Sequence, residues 1–384
     1  MKVLFTSSQE TCLENIYELI NFKNQHNKSE IQNTFINQKN IFTYCKYKID
    51  DINRLKLNVI NFNLPRGLNK FSSTRPNLIL RKYFLFRNKR LINKLVSNHS
   101  VFVFSPGGFV EHEIAYQMKK QGKKTILIEG GLQPFDIEKK QLLFEKINNL
   151  VIFIFSNIFG IDYFRFGPFK TKFQELDYVV TTGKSSSLIW IENGLPFEKI
   201  YEVGVPRYKK LFHDVNLNLD NKVLIYGTGA YKFHSDNYGE TKDKEILFKL
   251  YNVIKENYPD LAFYILVHPR DDNANIFNQF PSKILINNKD DILKNSDFFF
   301  ISRRSSLVYE YILSGRHSYF FRPESSRVNF PNNNLILNNI DEFKNKVNLF
   351  LSDKLVLDKS VVHETISSET LQSSNLINKL IYND

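Results

Sequence analysis

Two stretches of the chain place anion-binding side chains directly after a run of apolar, strand-forming residues. The first ends with His268, Pro269 and Arg270, and the second runs from Asp297 to Ser306. Open α/β sheets bind ligands just beyond the carboxyl ends of their strands. The two stretches are about thirty residues apart, which predicts one pocket for a phosphate-bearing ligand in the second half of the protein.

The first stretch combines a proton donor with a permanent cation. His268 at a strand end can hydrogen-bond a phosphoryl oxygen or protonate a leaving group. Arg270 can hold a phosphate through two parallel hydrogen bonds, and Pro269 fixes the direction in which the chain leaves the strand. A lone histidine is more often structural, but the three residues together favour a binding site.

The second stretch lies between a strand of phenylalanines and an amphipathic helix, and it contains Arg303, Arg304, Ser305 and Ser306. The two serines are predicted to cap that helix, whose first N–H groups attract anions. Capping alone needs one serine, so two serines with two arginines favour phosphate binding. Glu310, one turn into the helix, is either a ribose-binding carboxylate or a surface residue.

A third strand end carries Gly227, Thr228 and Gly229. Glycines at such a turn allow backbone N–H groups to approach a phosphate closely. The full glycine-rich nucleotide-binding pattern is missing, and a plain tight turn is the alternative.

In the first half of the chain, Glu129 follows a predicted strand over residues 125–128. A carboxylate at this position is a candidate general base for an acceptor hydroxyl, and the alternative is a solvated turn residue. Gly107, Gly108, His112 and Gly130 are the other candidates for the acceptor side. No metal-binding pattern stands in a convincing context, so neither a metal nor a cofactor is expected.

The elements that position these residues alternate between strands and helices. Strand, glycine turn, helix and strand follow one another in both halves, which predicts an α/β protein with parallel sheets. We expect two Rossmann-like domains facing a cleft. The predicted bounds are an acceptor-binding domain over 1–210, a nucleotide-sugar-binding domain over 211–365 and a C-terminal helix over 366–384.

Two segments allow two interpretations each. The basic helical pattern over 81–94 predicts either a solvated helix face or a contact with a polyanion or membrane. The aromatic segment 150–167 predicts either a buried element or an interfacial one.

The amino-acid composition and net charge limit the classes of ligand and partner that the protein is expected to bind. The 384 residues are 42% hydrophobic and carry a net charge of +12, which favours an anionic ligand, glycan or lipid surface. No nucleic-acid-binding motif accompanies that charge, so no nucleic-acid partner is expected. The two cysteines, Cys12 and Cys45, form no metal or disulfide pattern, and the first residues lack a signal-peptide pattern. The sequence therefore predicts a cytoplasmic protein.

The order and context of the motifs resemble bacterial GT-B glycosyltransferases of surface polysaccharide synthesis. The resemblance is to the sialyltransferase and polysialyltransferase group and to capsule Kdo transferases. The pairs that carry it are Glu129 and Gly130, His268 and Pro269, and Ser305 and Ser306. The segment 179–207 is also similar to the CDP-glycerol glycerophosphotransferases. Ile128 stands where the first group has another acidic residue.

The resemblance implies a CMP-activated acidic sugar as donor: sialic acid, another nonulosonic acid or Kdo. It implies Glu129 as general base, His268 acting on the departing phosphate, and Ser305 and Ser306 holding that phosphate. Transfer to a capsule or lipooligosaccharide acceptor would invert the sugar without a metal, at the inner face of the membrane. The alternatives are a CDP-glycerol-type transferase and a non-catalytic polysaccharide- or membrane-docking protein.

Overall fold

The protein divides into two compact units. Unit 1 comprises Met1–Gln133, Lys139–Lys209 and Glu364–Asp384, and unit 2 comprises Pro134–Glu138 and Lys210–His363. The computed structural model describes residues 1–7, 10–26, 32–38, 55, 57–62, 75–105, 108–131, 150–151, 154, 158, 174–212, 221–229, 237–268, 280–281, 285–286, 296–303, 305–323 and 333–382.

Unit 1 is built on a sheet whose paired strands are all parallel. Its strands are β1 (Lys2–Ser7), β2 (Gln32–Gln38), β3 (Asn58–Phe62), β4 (Val101–Ser105), β5 (Lys124–Ile128), β6 (Tyr178–Val180) and β7 (Ile200–Tyr201). They lie in the order β3-β2-β1-β4-β5-β6-β7. The strand β4 is buried at all five residues, as a parallel strand covered on both faces should be.

Helices cover this sheet: α1 (Glu10–His26), α2 (Arg75–Arg87), α3 (Lys89–Asn98), α4 (Phe109–Lys120), α5 (Lys184–Glu192) and α9 (Ser373–Tyr382). Ile92, Leu95 and Val96 form the buried stripe of α3. Ile114 and Met118 of α4 belong to the same core. Apolar positions at helical spacing thus produce the packed face that the sequence predicts.

The C-terminal segment returns to unit 1. Asn378 Nδ2 donates to Leu19 O of α1 at 3.1 Å, and Tyr382 OH donates to Asn33 Oδ1 at 3.3 Å. Burial raises the pKa of Tyr382 to about 12. A Cβ added to Gly204, which has φ of +71°, would lie 1.9 Å from Thr370 Oγ1. This last helix is therefore part of the first unit's core.

Unit 2 contains a second parallel sheet. Its strands are β8 (Lys222–Gly227), β9 (Ala262–Leu266), β10 (Leu285–Ile286), β11 (Asp297–Ser302), β12 (His317–Phe321) and β13 (Ile336–Leu337). The order is β10-β9-β8-β11-β12-β13. Counted within each unit, the first six strands of both sheets follow the Rossmann order 3-2-1-4-5-6.

The helices of unit 2 are α6 (Asn237–Asn257), α7 (Leu307–Leu313) and α8 (Ile340–Leu351) in the part of the chain that the structure describes. Aromatic rings fill much of the core beside the sheet: Phe299 stacks on Tyr319 at 5.3 Å between centroids and meets Phe350 at 5.7 Å. Asn339 caps α8 by accepting a hydrogen bond from the Glu342 N–H.

The prediction of an α/β chain with two Rossmann-like sheets is confirmed. The basic pattern over 81–94 forms two helices rather than one, because the chain turns at Asn88, between α2 and α3. Most of the segment 150–167 lies outside the described residues, and residues 150, 151, 154 and 158 of it are helical. No helix among the described residues is long and apolar enough to cross a bilayer.

Candidate functional site

Each sheet has a point at which the order of its strands reverses, and such points are the usual ligand sites of doubly wound sheets. In unit 2 the point lies between β8 and β11, which pair Gly227 with Ser302. Ser302 Oγ donates to Gly227 O at 2.8 Å across it, and the Ser305 N–H donates to Ser302 Oγ at 3.0 Å. Gly227 and Ser305, two of the predicted site residues of unit 2, therefore lie at the point where the strand order reverses.

A second hydrogen bond joins the ends of β8 and β9. The His268 N–H donates to Thr228 Oγ1 at 2.9 Å, and Thr228 is 5% exposed. Since the oxygen is used as acceptor, the hydroxyl hydrogen of Thr228 is oriented to donate elsewhere. His268 is half-buried. This hydrogen bond holds the main chain of His268 beside the Thr228 hydroxyl at the carboxyl edge.

Two buried arginines belong to the same edge. Arg303 follows β11 and Arg322 follows β12, and they are 1% and 2% exposed. Ser302 pairs with Phe320 across these strands, so the two arginines leave neighbouring strands at nearly the same level. Burial of two guanidinium groups here makes the edge cation-rich. Sequence reasoning missed Arg322, although this residue directly follows the apolar run Tyr319–Phe321. A position directly after such a run was the signal that singled out the other candidates.

Gly227 has a packing function that the sequence did not reveal. A Cβ on this residue would lie 2.3 Å from Phe300 Cζ, so glycine is required for the ring of the neighbouring strand to fit. The Thr228 N–H already donates to Leu266 O at 3.1 Å. The prediction that the N–H groups of this turn cradle a phosphate is therefore wrong for Thr228, because its N–H belongs to the sheet.

The two serines before α7 differ in their roles. Ser305 Oγ accepts from the Leu307 N–H at 3.3 Å, whereas the exposed Ser306 makes no side-chain capping bond. The prediction that both serines cap this helix is thus correct for Ser305 only. With its oxygen accepting, the Ser305 hydroxyl can donate to a ligand. Glu310 lies in the first turn of α7 and is half-buried.

Several predicted site residues lie outside the described part of the chain. They are Gly107, Pro269, Arg270 and Arg304. Their roles stay predictions.

In unit 1, Glu129 is 1% exposed and sits directly after β5. Its carboxylate accepts from the Thr182 N–H at 2.7 Å, from Trp190 Nε1 at 2.6 Å and from Ser186 Oγ. These donors lie in the β6–α5 turn and in α5. The expected alternative of a solvated turn residue is wrong, because the side chain is enclosed by its own domain.

The main-chain carbonyl groups of Glu129 and Gly130 also accept hydrogen bonds from side chains of unit 1. Asn15 Nδ2 of α1 donates to Glu129 O at 2.9 Å, while Asn15 Oδ1 accepts from the Arg207 N–H at 3.0 Å. Arg207 NH1 donates to Gly130 O at 2.7 Å. Asn15 is a polar residue on the buried side of α1 and is 0% exposed. That position within an apolar helical stripe was the only sequence signal for it.

The remaining acceptor-side candidates have partners within unit 1. The Gly108 N–H donates to Glu111 Oε2 at 3.0 Å at the start of α4, and His112 Nε2 lies 3.9 Å from Glu175 Oε1. An acceptor-binding role for Gly108, His112 and Gly130 stays a prediction. Among the described residues, no group of three or more His, Cys, Asp or Glu side chains could hold a metal ion.

Over its whole length the chain is similar in fold to several solved enzyme structures. The UDP-GlcNAc 2-epimerase of Methanocaldococcus jannaschii, solved with UDP-GlcNAc and UDP, is 14% identical with a TM-score of 0.59, covering 100% of both chains. The UDP-GlcNAc 2-epimerase of Neisseria meningitidis, bound to UDP-GlcNAc, is 12% identical with a TM-score of 0.61 and the same coverage. The glycotransferase of kitacinnamycin is 11% identical with a TM-score of 0.58, covering 99% of this chain and 98% of its own.

At this level of identity the likeness shows the fold alone. No protein-family profile matches the sequence, and no curated protein matches it. The closer resemblance to sialyltransferases and Kdo transferases gains no support from these comparisons. The chain thus has the GT-B-like, two-domain Rossmann-type fold of these solved structures.

Proposed function

We propose that the protein is a nucleotide-sugar-dependent glycosyltransferase that binds the donor's phosphate at the carboxyl edge of the unit 2 sheet. One observation carries the proposal. Thr228, His268 and Ser305, together with two buried arginines, surround the reversal of strand order. Hydroxyl, imidazole and guanidinium groups are the donors that bind phosphate best, and this edge is where the topology favours a ligand.

In the proposed reaction, the acceptor hydroxyl attacks the anomeric carbon and gives up its proton to water. The bond between that carbon and the phosphate oxygen breaks, and the nucleotide leaves with both of its electrons. His268, Arg303 and Arg322 would stabilise the negative charge that builds up on the departing phosphate oxygen. Such a direct displacement inverts the sugar. In this scheme the Thr228 and Ser305 hydroxyls orient the phosphate.

Glu129 enters this proposal as a positioning residue. Its three donors would have to rearrange before its oxygens could take a proton from an acceptor hydroxyl. What its carboxylate does in the present geometry is fix the β6–α5 turn relative to β5. The general-base role implied by the sialyltransferase resemblance stays a prediction, and the Glu129→Gln variant tests it.

The proposed donor is a CMP-activated acidic sugar, delivered to an oligosaccharide or glycolipid acceptor. It rests on the Glu129, His268 and Ser305 motifs and on the chain's net charge of +12, which suits an anionic donor and a growing acidic glycan. A second candidate function is that of an enzyme that epimerises UDP-GlcNAc. It is favoured by the structures that are similar to this chain over its full length and were solved with UDP-GlcNAc.

A thermal-shift series with CMP, CDP, UDP and GDP tests the proposal. A nucleotide at about 100 times its Kd should raise the melting temperature of unit 2 by roughly 5 °C. His268→Ala should reduce that shift, whereas the matched variant of the exposed His363 should keep it. If none of the four nucleotides stabilises the protein, the proposal is wrong.

Product analysis then separates the two donors. Incubation with CMP-sialic acid, CMP-Kdo, CDP-glycerol or UDP-GlcNAc distinguishes transfer from epimerisation by the fate of the sugar. Release of CMP with a new glycosidic bond supports the first donor, and conversion of UDP-GlcNAc without an acceptor supports the second candidate. Nucleotide binding without turnover of any donor supports a docking protein.

A further inference from the structure

The helix α2 of unit 1 carries an apolar face that points towards solvent. Ile79, Leu80, Tyr83 and Phe86 are 56%, 51%, 60% and 74% exposed. The spacing of Ile79, Tyr83 and Phe86 puts them along one side of the helix, with Leu80 at its margin. We call these four residues the α2 apolar stripe.

The opposite face of α2 already fills the core. Phe84 and Leu85 are 8% and 7% exposed, and Arg81 is fully buried. The Phe84 ring lies 6.2 Å from Phe62 and 6.1 Å from Phe109, between centroids. The helix is therefore anchored without the stripe. An ordinary surface helix would place polar residues where the stripe lies.

The sequence on both sides of the stripe carries charge of one sign. From residue 52 to residue 110 the sequence contains eleven Lys and Arg residues and no Asp or Glu. Five of these cations lie on α2 and α3 or between them and are exposed: Lys82, Arg87, Lys89, Arg90 and Lys94. On α2 itself, Lys82 and Arg87 flank the stripe on its two sides, since they lie on opposite sides of the Ile79–Phe86 line.

We propose that the α2 apolar stripe and its flanking cations dock on an anionic phospholipid bilayer. Helices that lie in the membrane interface bury an apolar face, with Lys and Arg reaching the lipid phosphates. Each such cation strengthens binding to an anionic surface by roughly fivefold. The inference does not depend on the proposed function, because every residue that carries it belongs to unit 1.

Two other occupants fit the surface less well. A soluble polyanion would use the cations but leave Ile79 and Leu80 in water. A second copy of the chain would bring the exposed cations of two such helices together, and like charges in contact oppose association.

Sedimentation of the full chain with unilamellar vesicles tests the proposal. We expect binding to phosphatidylcholine vesicles containing about 30% phosphatidylglycerol and much weaker binding to pure phosphatidylcholine. Binding should fall as salt is raised above about 0.15 M, because salt screens the charges. Absence of binding to the acidic vesicles, or equal binding to both kinds, would overturn the proposal.

A matched pair of variants isolates the apolar contribution. Phe86 and Phe197 are both 74% exposed, but Phe197 lies in a short helix over Phe197–Lys199 outside the stripe. Phe86→Ser should lower the partition coefficient by roughly tenfold, and Phe197→Ser should leave it unchanged. Equal melting temperatures of the two variants would show that both fold. An equal loss from both variants would contradict the proposal.

A second pair isolates the charge. Replacing Lys89 and Lys94 with Gln should weaken binding by roughly fivefold for each charge removed. The same change at Lys249 and Lys255, exposed on α6 of unit 2, should have little effect. Dimerisation that Phe86→Ser abolishes, seen without vesicle binding, would assign the surface to a second copy. Binding to a soluble polyanion alone would overturn the lipid assignment as well.

Discussion

The two sheets reverse their strand order in the same way, and a serine hydroxyl bridges each reversal. In unit 1, Ser7 Oγ donates to Ser105 O at 2.9 Å between β1 and β4. In unit 2, Ser302 Oγ donates to Gly227 O at 2.8 Å between β8 and β11. The two units thus share this hydrogen bond between their central strands. We therefore expect a difference in function to come from the side chains that follow the strands.

The side chains that follow the strands differ in which of their hydrogen-bonding atoms already have a partner within the unit. Glu129 of unit 1 is an acceptor whose carboxylate is occupied by three donors of its own unit. In unit 2, Thr228 and Ser305 use their oxygens as acceptors and keep their hydroxyl hydrogens to donate. Glu129 of unit 1 should therefore govern stability, whereas Thr228, His268 and Ser305 of unit 2 should govern ligand binding.

The largest expected effect is that of Glu129→Ala. The variant leaves three buried donors without their acceptor, which should lower the free energy of unfolding by roughly 3–5 kcal/mol. Urea denaturation measures the loss, and Glu192→Gln, on the exposed side of α5, is the control. Nucleotide affinity of unit 2 should stay the same. A Glu129→Gln protein of wild-type stability that has lost all transfer would instead restore the general-base role.

Gly227→Ala should be the next largest in effect. Its Cβ would meet the Phe300 ring at 2.3 Å, and overpacking of this kind costs roughly 1–3 kcal/mol. The double variant with Phe300→Leu should recover part of the loss, since the smaller side chain leaves room. Denaturant midpoints of the single and double variants measure this coupling. If the double variant is no more stable than Gly227→Ala, the glycine is required for another reason.

His268→Ala should change binding rather than folding. Loss of one charge-assisted hydrogen bond to phosphate should weaken nucleotide affinity by roughly tenfold or more. Isothermal titration calorimetry measures the change, with the His363→Ala protein as the matched control. An unaltered Kd in the His268 variant would remove this residue from the site.

The smallest effect is that of pH on stability, and it compares the buried His99 of unit 1 with the half-buried His317 of unit 2. Burial lowers the pKa of His99 in unit 1 and of His317 in unit 2 below the usual 6.5. The folded protein thus favours the neutral imidazoles, so their stabilisation is present above about pH 6.5 and is lost as the pH falls. Urea midpoints at about pH 7 and pH 5 should differ less in His99→Gln and His317→Gln than in the wild type. An unchanged difference in either variant would rule out that histidine as a source of the pH dependence.

Much of the fold could be predicted from local pattern. The apolar run at Val101–Ser105 and the all-apolar run within Asp297–Ser302 are strands because both of their faces are buried. Long-range packing could not be predicted. Nothing near Gly227 in the sequence indicates the Phe300 ring that excludes a Cβ, and nothing local to Asn378 indicates its bond to Leu19.

In the candidate site, too, some features could be predicted from local sequence and others depend on long-range contacts. His268 and Ser305 follow strands, so the strand-end rule finds them, and it would have found Arg322 had it been applied to β12. Glu129 was found by the same rule, but its enclosure depends on Thr182, Ser186 and Trp190, more than fifty residues away. The position of a residue at the end of a strand can be seen in the local sequence. Whether its side chain is already taken by hydrogen-bond partners depends on the folded unit.

A crystal structure of the protein with CMP, and a second with UDP, would test the central claim most directly. The account predicts phosphate oxygens about 3 Å from the Thr228 and Ser305 hydroxyls and from the His268 ring. A nucleotide bound at another place, or a phosphate that none of these three side chains contacts, would contradict it.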